Sequence, residues 1–170
     1  MSEDFASNPF SGARSGERAH AVLSNFLSTS PAALAAASSL RVGAEAAITL
    51  TDVEGDWRIF RTEDSGILFE SGKALDPDFD LRIPPAAIHS ICSRHDSDAG
   101  DLGVTFFEHL VERDPALKIT VKLHSGFIKL TSRGWLTLLA RGGPKVVFWL
   151  ANKGLRGPGG VATALGRLRR

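Results

Sequence analysis

The sequence predicts an α+β domain, a mainly antiparallel sheet of short strands covered by helices. Segments such as Asp78–Ile83 alternate strictly, with Phe79, Leu81 and Ile83 on one side and Asp78, Asp80 and Arg82 on the other. The linkers between the first strands are only a few residues long, which favours an antiparallel meander, because a parallel crossover needs about a dozen residues or more. Before and after the strands, apolar residues recur at helical spacing.

The elements follow in chain order. Residues 1–13 are polar and Ser-rich and read as a flexible N-terminus; residues 14–155 read as the folded domain and 156–170 as a basic C-terminal tail. From Arg14, the stripe Ala19, Val22, Leu23, Phe26 and Leu27 marks a first helix. Pro31 stops it and opens a second, Ala-rich helix with Ser30 as its N-cap. Ala46–Asp52 is a strand with Ile48 and Leu50 on one face and Thr49 and Thr51 on the other. Asp56–Thr62 follows, with Trp57 and Ile59 opposite Arg58 and Phe60, and then Gly66–Glu70. Pro84-Pro85 ends the Asp78–Ile83 strand, and Pro85 opens a helix to about Ser93. Residues 94–101 form an acidic loop, and Asp101 can cap a helix over Leu102–Arg113. Ala116–His124 alternates as a strand, and Phe127–Thr131 continues as strand after Ser125-Gly126. Gly134–Ala140 and Pro144–Lys153 read as helices. Gly157–Gly160 is a flexible joint before a short stripe of Val161, Leu165 and Leu168.

Composition narrows the class. The chain has 170 residues, enough for one domain with a core of its own, and its 43% hydrophobic and 23% charged residues are those of a globular protein. The single cysteine, Cys92, excludes an internal disulfide and a cysteine-rich zinc site. The longest wholly apolar run, Val146–Ala151, is far short of a membrane span, and MSEDFASNPF lacks the features of a secretory signal. A cytoplasmic protein is expected, peripheral to a membrane at most. The net charge of +1 conceals an asymmetry. Residues 1–114 hold all 19 acids, whereas residues 115–170 hold 11 Lys and Arg and no acid. The halves either neutralise each other in the fold, or the basic segment faces an anionic partner.

Candidate chemistry mostly fails on spacing. His89, Cys92 and His95 form H-x-x-C-x-x-H, but the third residue rotates away on a regular helix and no second cluster completes a metal site. No G-x-S-x-G elbow is present; Ser65, Ser71 and Ser125 sit in turns, and His124 points away from Ser125. Asp76, Asp78 and Asp80 suit one sheet face, where three solvated carboxylates are a simpler account than a cation site. GPGGVATALG from Gly157 lacks the strand and the acid of a dinucleotide site. Neither catalytic residues, nor a metal, nor a cofactor is expected. Phe127, Trp135, Phe148 and Trp149 lie among Val, Leu and Ile at core-like spacing, which disfavours a nucleic-acid stacking platform. What stands out is apolar surface. Phe106 and Phe107 are consecutive, Trp135, Leu136, Leu138 and Leu139 crowd one short helix, and Val146–Leu150 is apolar nearly all round. Such helices must be buried, or must meet lipid, another subunit or an apolar ligand.

The order of these segments resembles the sterol carrier protein type-two family of lipid-binding domains. The residues that carry the likeness are Gly55 and Trp57 in GDWRIF, Gly66 and Gly72 around ILFES, Phe79 with Leu81 in DFDLRI running into PPAAIHSI, and Gly126–Leu130 in GFIKL, over about Ala46–Leu139. Pro84-Pro85, the acidic 94–101 segment and Thr131-Ser132-Arg133-Gly134 depart from the family pattern. The resemblance implies a five-stranded sheet covered by helices, with an apolar cavity that takes a sterol, fatty acyl or isoprenoid lipid, and an accessory role in lipid metabolism without catalysis. Phe106, Phe107, Leu110, Trp135, Leu138, Phe148 and Trp149 are the expected lining residues. Lys145, Lys153, Arg156, Arg167, Arg169 and Arg170 are the expected contacts to an anionic membrane surface. The alternatives are a protein-interaction module whose apolar helices dock on a partner or a second copy, and, more weakly, an enzyme using the His89–His95 or Asp76–Asp80 segment, or a nucleic-acid binder using the basic half.

Overall fold

A computed structural model describes residues 10–154 apart from Asp52 and Ser65; the expected C-terminal tail and its arginines lie outside the described residues. The elements are α1 (Phe10–Thr29), α2 (Pro31–Ala37), β1 (Glu45–Leu50), β2 (Trp57–Thr62), β3 (Gly66–Ser71), β4 (Phe79–Ile83), α3 (Pro85–Cys92), α4 (Ala99–Val111), β5 (Thr120–Leu123), α5 (Phe127–Ser132), α6 (Trp135–Arg141) and α7 (Gly143–Asn152). The protein is α+β. Among the described residues it has one open, mixed sheet of five strands and seven helices.

The sheet order is β3-β2-β1-β4-β5. Three of its four pairings are antiparallel, but β1 and β4 are parallel, with Ile48 beside Leu81. This corrects the simple meander. Turn lengths describe β1–β2–β3 well, but say nothing of where the chain returns after Ser71. From β3 it passes β2 and β1 to pair β4 with the other edge of β1.

The alternation in β1, β2 and β4 selects the core face. Ile48 and Leu50 are 1% exposed, and with Phe69, Leu81 and Ile83 they meet Ala19 of α1, Ala87 and Ile88 of α3, and Ile119. Val22, Leu23 and Leu27 extend the α1 stripe over this layer. The helices cover this face. The other face is open: Arg58 bridges Glu70 (2.6 Å) and Glu45 (3.4 Å) with its guanidinium 4.3 Å over Phe60, and Arg82 and Lys122 are exposed.

Ser30 caps α2 as expected: it is fully buried, and its Oγ accepts from the Ala33 amide at 3.4 Å. The cap of α4 is Asp98 rather than Asp101, accepting from the Asp101 amide at 2.9 Å, so the helix begins a turn earlier. Phe127–Thr131 is a helix, not a strand. A five-residue segment, here Phe-Ile-Lys-Leu-Thr, carries no decisive period of its own, and helical winding brings Lys129 and Arg133, four apart, onto the same carboxylate. Glycines set how closely α4 and α7 approach. A Cβ on Gly103 would lie 2.7 Å from Val146 Cγ2, and one on Gly100 2.9 Å from the Gly142 carbonyl oxygen.

Candidate functional site

Asp78 is the polar hub of the C-terminal half, and sequence reasoning missed it. The alternating pattern places it on an outward face, yet it is fully buried. Its Oδ1 accepts from Ser125 Oγ (2.6 Å) and Arg133 Nη1 (2.9 Å), and its Oδ2 from Trp135 Nε1 (2.6 Å) and the Glu45 amide (3.4 Å). Its backbone carbonyl accepts from the His124 and Ser125 amides. One carboxylate thus joins β1, the start of β4, the end of β5 and the α5–α6 corner. Asp76 sits beside it on the surface, and its carboxyl is held below the usual range by hydrogen bonds from Lys129 and Arg133. Glu45 Oε2 accepts from the amides of Leu75 (3.1 Å) and Asp76 (2.8 Å), which fixes the loop. Asp80 pairs instead with His124 at 2.7 Å. The three aspartates therefore do not share one solvated face. Among the described residues no group of side chains is placed to hold a metal ion.

This hub sets α6 against the edge of the sheet. Trp135 donates to Asp78 and meets the Phe79 ring edge-on at 4.6 Å. The expected lining residues then divide. Phe106 and Leu110 lean on the core cluster. Phe107 touches Phe106 edge-to-face at 6.0 Å and stacks on Trp149 at 5.8 Å, so α4 and α7 share an aromatic seam. Trp135 and Leu138 stand on α6, half-buried, apart from that seam in the chain. Phe148 points outward and is 70% exposed. Six of the seven, all but Phe148, are neither buried nor exposed. More telling is α6 itself: it carries Trp135, Leu136, Leu138 and Leu139 in seven residues and buries none of them.

Beside the seam lies a cleft of about 480 Å³, lined by Ser90, Arg94, Thr105, Glu108, His109, Val111, Glu112, Arg113, Trp149 and Lys153. Its floor is the buried His109, whose Nε2 is 3.0 Å from Ser90 Oγ and so ties α4 to α3. Glu112 is engaged by the backbone amides of Arg113 and Asp114, which lower its pKa. Of the expected anion contacts, Lys145 is held by Asp98 (2.7 Å) and Asp101 (2.9 Å), while Lys153 lies 5.5 Å over the Trp149 ring.

His89, Cys92 and His95 are not brought together for chemistry. His89 is exposed, and His95 turns to Thr29 Oγ1 (2.9 Å) and Asp96 (3.0 Å). Burial pushes the Cys92 thiol up to about 12. The reactive species is the thiolate, so at pH 8 a disulfide reagent should label Cys92 at least about tenfold more slowly in the folded protein than in urea. Equal rates in the two states would contradict this burial.

No family model matches the chain, and no curated protein matches it. Among solved structures, one described as "UbiJ-SCP2 Ubiquinone synthesis protein" is similar over 78% of this chain and 93% of that one, at 15% sequence identity and a TM-score of 0.41. No helix among the described residues is long and apolar enough to cross a membrane.

Proposed function

We propose that the protein binds or transfers a hydrophobic ligand, a sterol, fatty acyl chain or isoprenoid lipid, without catalysing a reaction on it. The observation that supports this reading most is α6, an apolar helix with no buried residue, which also contacts α4. Apolar surface of this kind gains by taking an oily guest. Burying one CH₂ group gains about 0.8 kcal/mol, so a 16-carbon chain offers about 12 kcal/mol gross. Micromolar affinity needs only about 8 kcal/mol, which leaves room for ordering costs. The sequence resemblance to the sterol carrier protein type-two family points the same way, as does the recovery of its expected five strands.

Native mass spectrometry of the purified protein tests it. A lipid adduct should accompany the folded protein, and Leu138→Glu should reduce its occupancy at least about tenfold, because a carboxylate on that helix opposes apolar contact. A protein free of adducts that also ignores added fatty acid and isoprenoid would end the carrier reading. The interaction-module alternative draws on Leu75, Phe127 and Ile128, which are 87%, 60% and 84% exposed near the Asp76 cluster. A concentration-dependent mass without lipid would favour it.

A further inference from the structure

Among the described residues, α7 is held by one neighbour. Only α4 packs against it beyond a marginal contact, and Val146 is the one buried residue of the helix. The contact runs from a glycine notch to an aromatic end. Val146 fits against Gly103, where a Cβ would lie 2.7 Å from Val146 Cγ2, and Trp149 stacks on Phe107 at 5.8 Å. Near the start of α7, Lys145 is clamped by Asp98 (2.7 Å) and Asp101 (2.9 Å).

The other side of that clamp is a pivot. A single residue, Gly142, separates α6 from α7. The next, Gly143, has φ 60°, which glycine adopts at little cost, and no atom lies within 4 Å of its Cβ position, so the backbone can turn there without a clash. Phe107 lies beneath the far end of α7. It touches Phe106 edge-to-face, and Phe106 and Leu110 pack on the core cluster. Lifting the Trp149 end away from α4 therefore bares an apolar route along that helix toward the core. One buried valine and one ring pair close it, so opening costs far less than global unfolding.

We infer that α7 is a hinged lid, which turns at Gly142–Gly143, lifts Trp149 off Phe107 and admits an apolar guest along α4. The inference rests on the carrier reading, whose ligand the lid would gate, and adds the place of entry and the device that controls it.

Hydrogen exchange of the full chain reads the motion without a ligand. The amides of Val147–Asn152 should exchange at least about a hundredfold faster than those of Ile48 and Leu50. Trp149→Ala should speed the α7 amides about tenfold or more and leave those of β1 unchanged. Protection of α7 equal to that of β1, or a variant that speeds both alike, overturns the lid. A disulfide then tests the gate. Gly103→Cys with Val146→Cys, in a Cys92→Ser background, joins two positions close enough to bridge. The oxidised protein should take up parinaric acid at least about tenfold more slowly than the same protein reduced. Equal uptake by the two forms overturns the lid and leaves the carrier reading intact. Uptake by none of the oxidised, reduced and parent proteins ends the carrier reading, and the gate with it.

Discussion

Gly134→Ala is expected to destabilise the protein by about 3 kcal/mol or more, enough to unfold a domain of ordinary stability at moderate temperature. Gly134 has φ 85° and is buried at the corner between α5 and α6. A Cβ there would run into the carbonyl oxygen of Ser39, and would lie 2.9 Å from that carbonyl's carbon and 3.1 Å from Leu40 Cα. All three are backbone atoms, so no rotamer change relieves the clash. The corner is also tied down nearby, since the Arg41 amide donates to the Arg133 carbonyl and Arg141 donates to Ser39 Oγ. Gly126→Ala is the matching control: φ is −75° and no atom lies within 4 Å of its Cβ position. Urea denaturation of the two variants measures the contrast. A Gly134→Ala midpoint equal to that of Gly126→Ala would mean that this corner is not packed on the α2–β1 connection.

The second large effect is at Asp78. Asp78→Ala should cost about 3–5 kcal/mol, the usual penalty for removing one partner of a buried charged network. Ser125 Oγ and Trp135 Nε1 would lose their acceptor at once, and the Arg133 guanidinium would lose one of its two carboxylates. Replacing Arg133 as well should cost less than the sum of the two single losses, because the Arg133–Asp78 pair is then removed whole; a double-mutant cycle should show coupling of about 1–3 kcal/mol. Loss of under about 1 kcal/mol in Asp78→Ala, with Trp135 fluorescence unmoved, would show that the hub does not hold α6 in place.

These two sites mark the boundary of what the chain's local patterns reveal. Ile48, Leu50, Leu81 and Ile83 announce their strands and their buried face because each reports on its own neighbours two residues away. The α1 stripe does so at helical spacing, and Ser30 does so as a cap. Asp78 carries no such mark. It sits between Asp76 and Asp80 in a run that reads as polar, and its partners arrive 47–57 residues later. Lys129 and Arg133 held a usable hint, since cations four residues apart suit a helix facing one acid, but the apolar Phe127, Ile128 and Leu130 read equally well as strand. The parallel β1–β4 pairing was equally invisible, being a choice of edge and not of turn. At the candidate site, the sequence shows which helices are greasy, and the contacts show which of their side chains lack a neighbour. Phe107 and Trp149 find each other, whereas Phe148 does not.

The place of β4 beside β1 has a consequence for biosynthesis. As the ribosome releases the chain, β1, β2 and β3 emerge first and can form their hairpins at once. The Glu45–Leu50 segment then presents a bare, largely apolar edge until Phe79–Ile83 arrives to cover it. A nascent chain stalled or cleaved near Asp76 would expose that edge to other chains, so truncated products should be far more prone to clump than the finished protein.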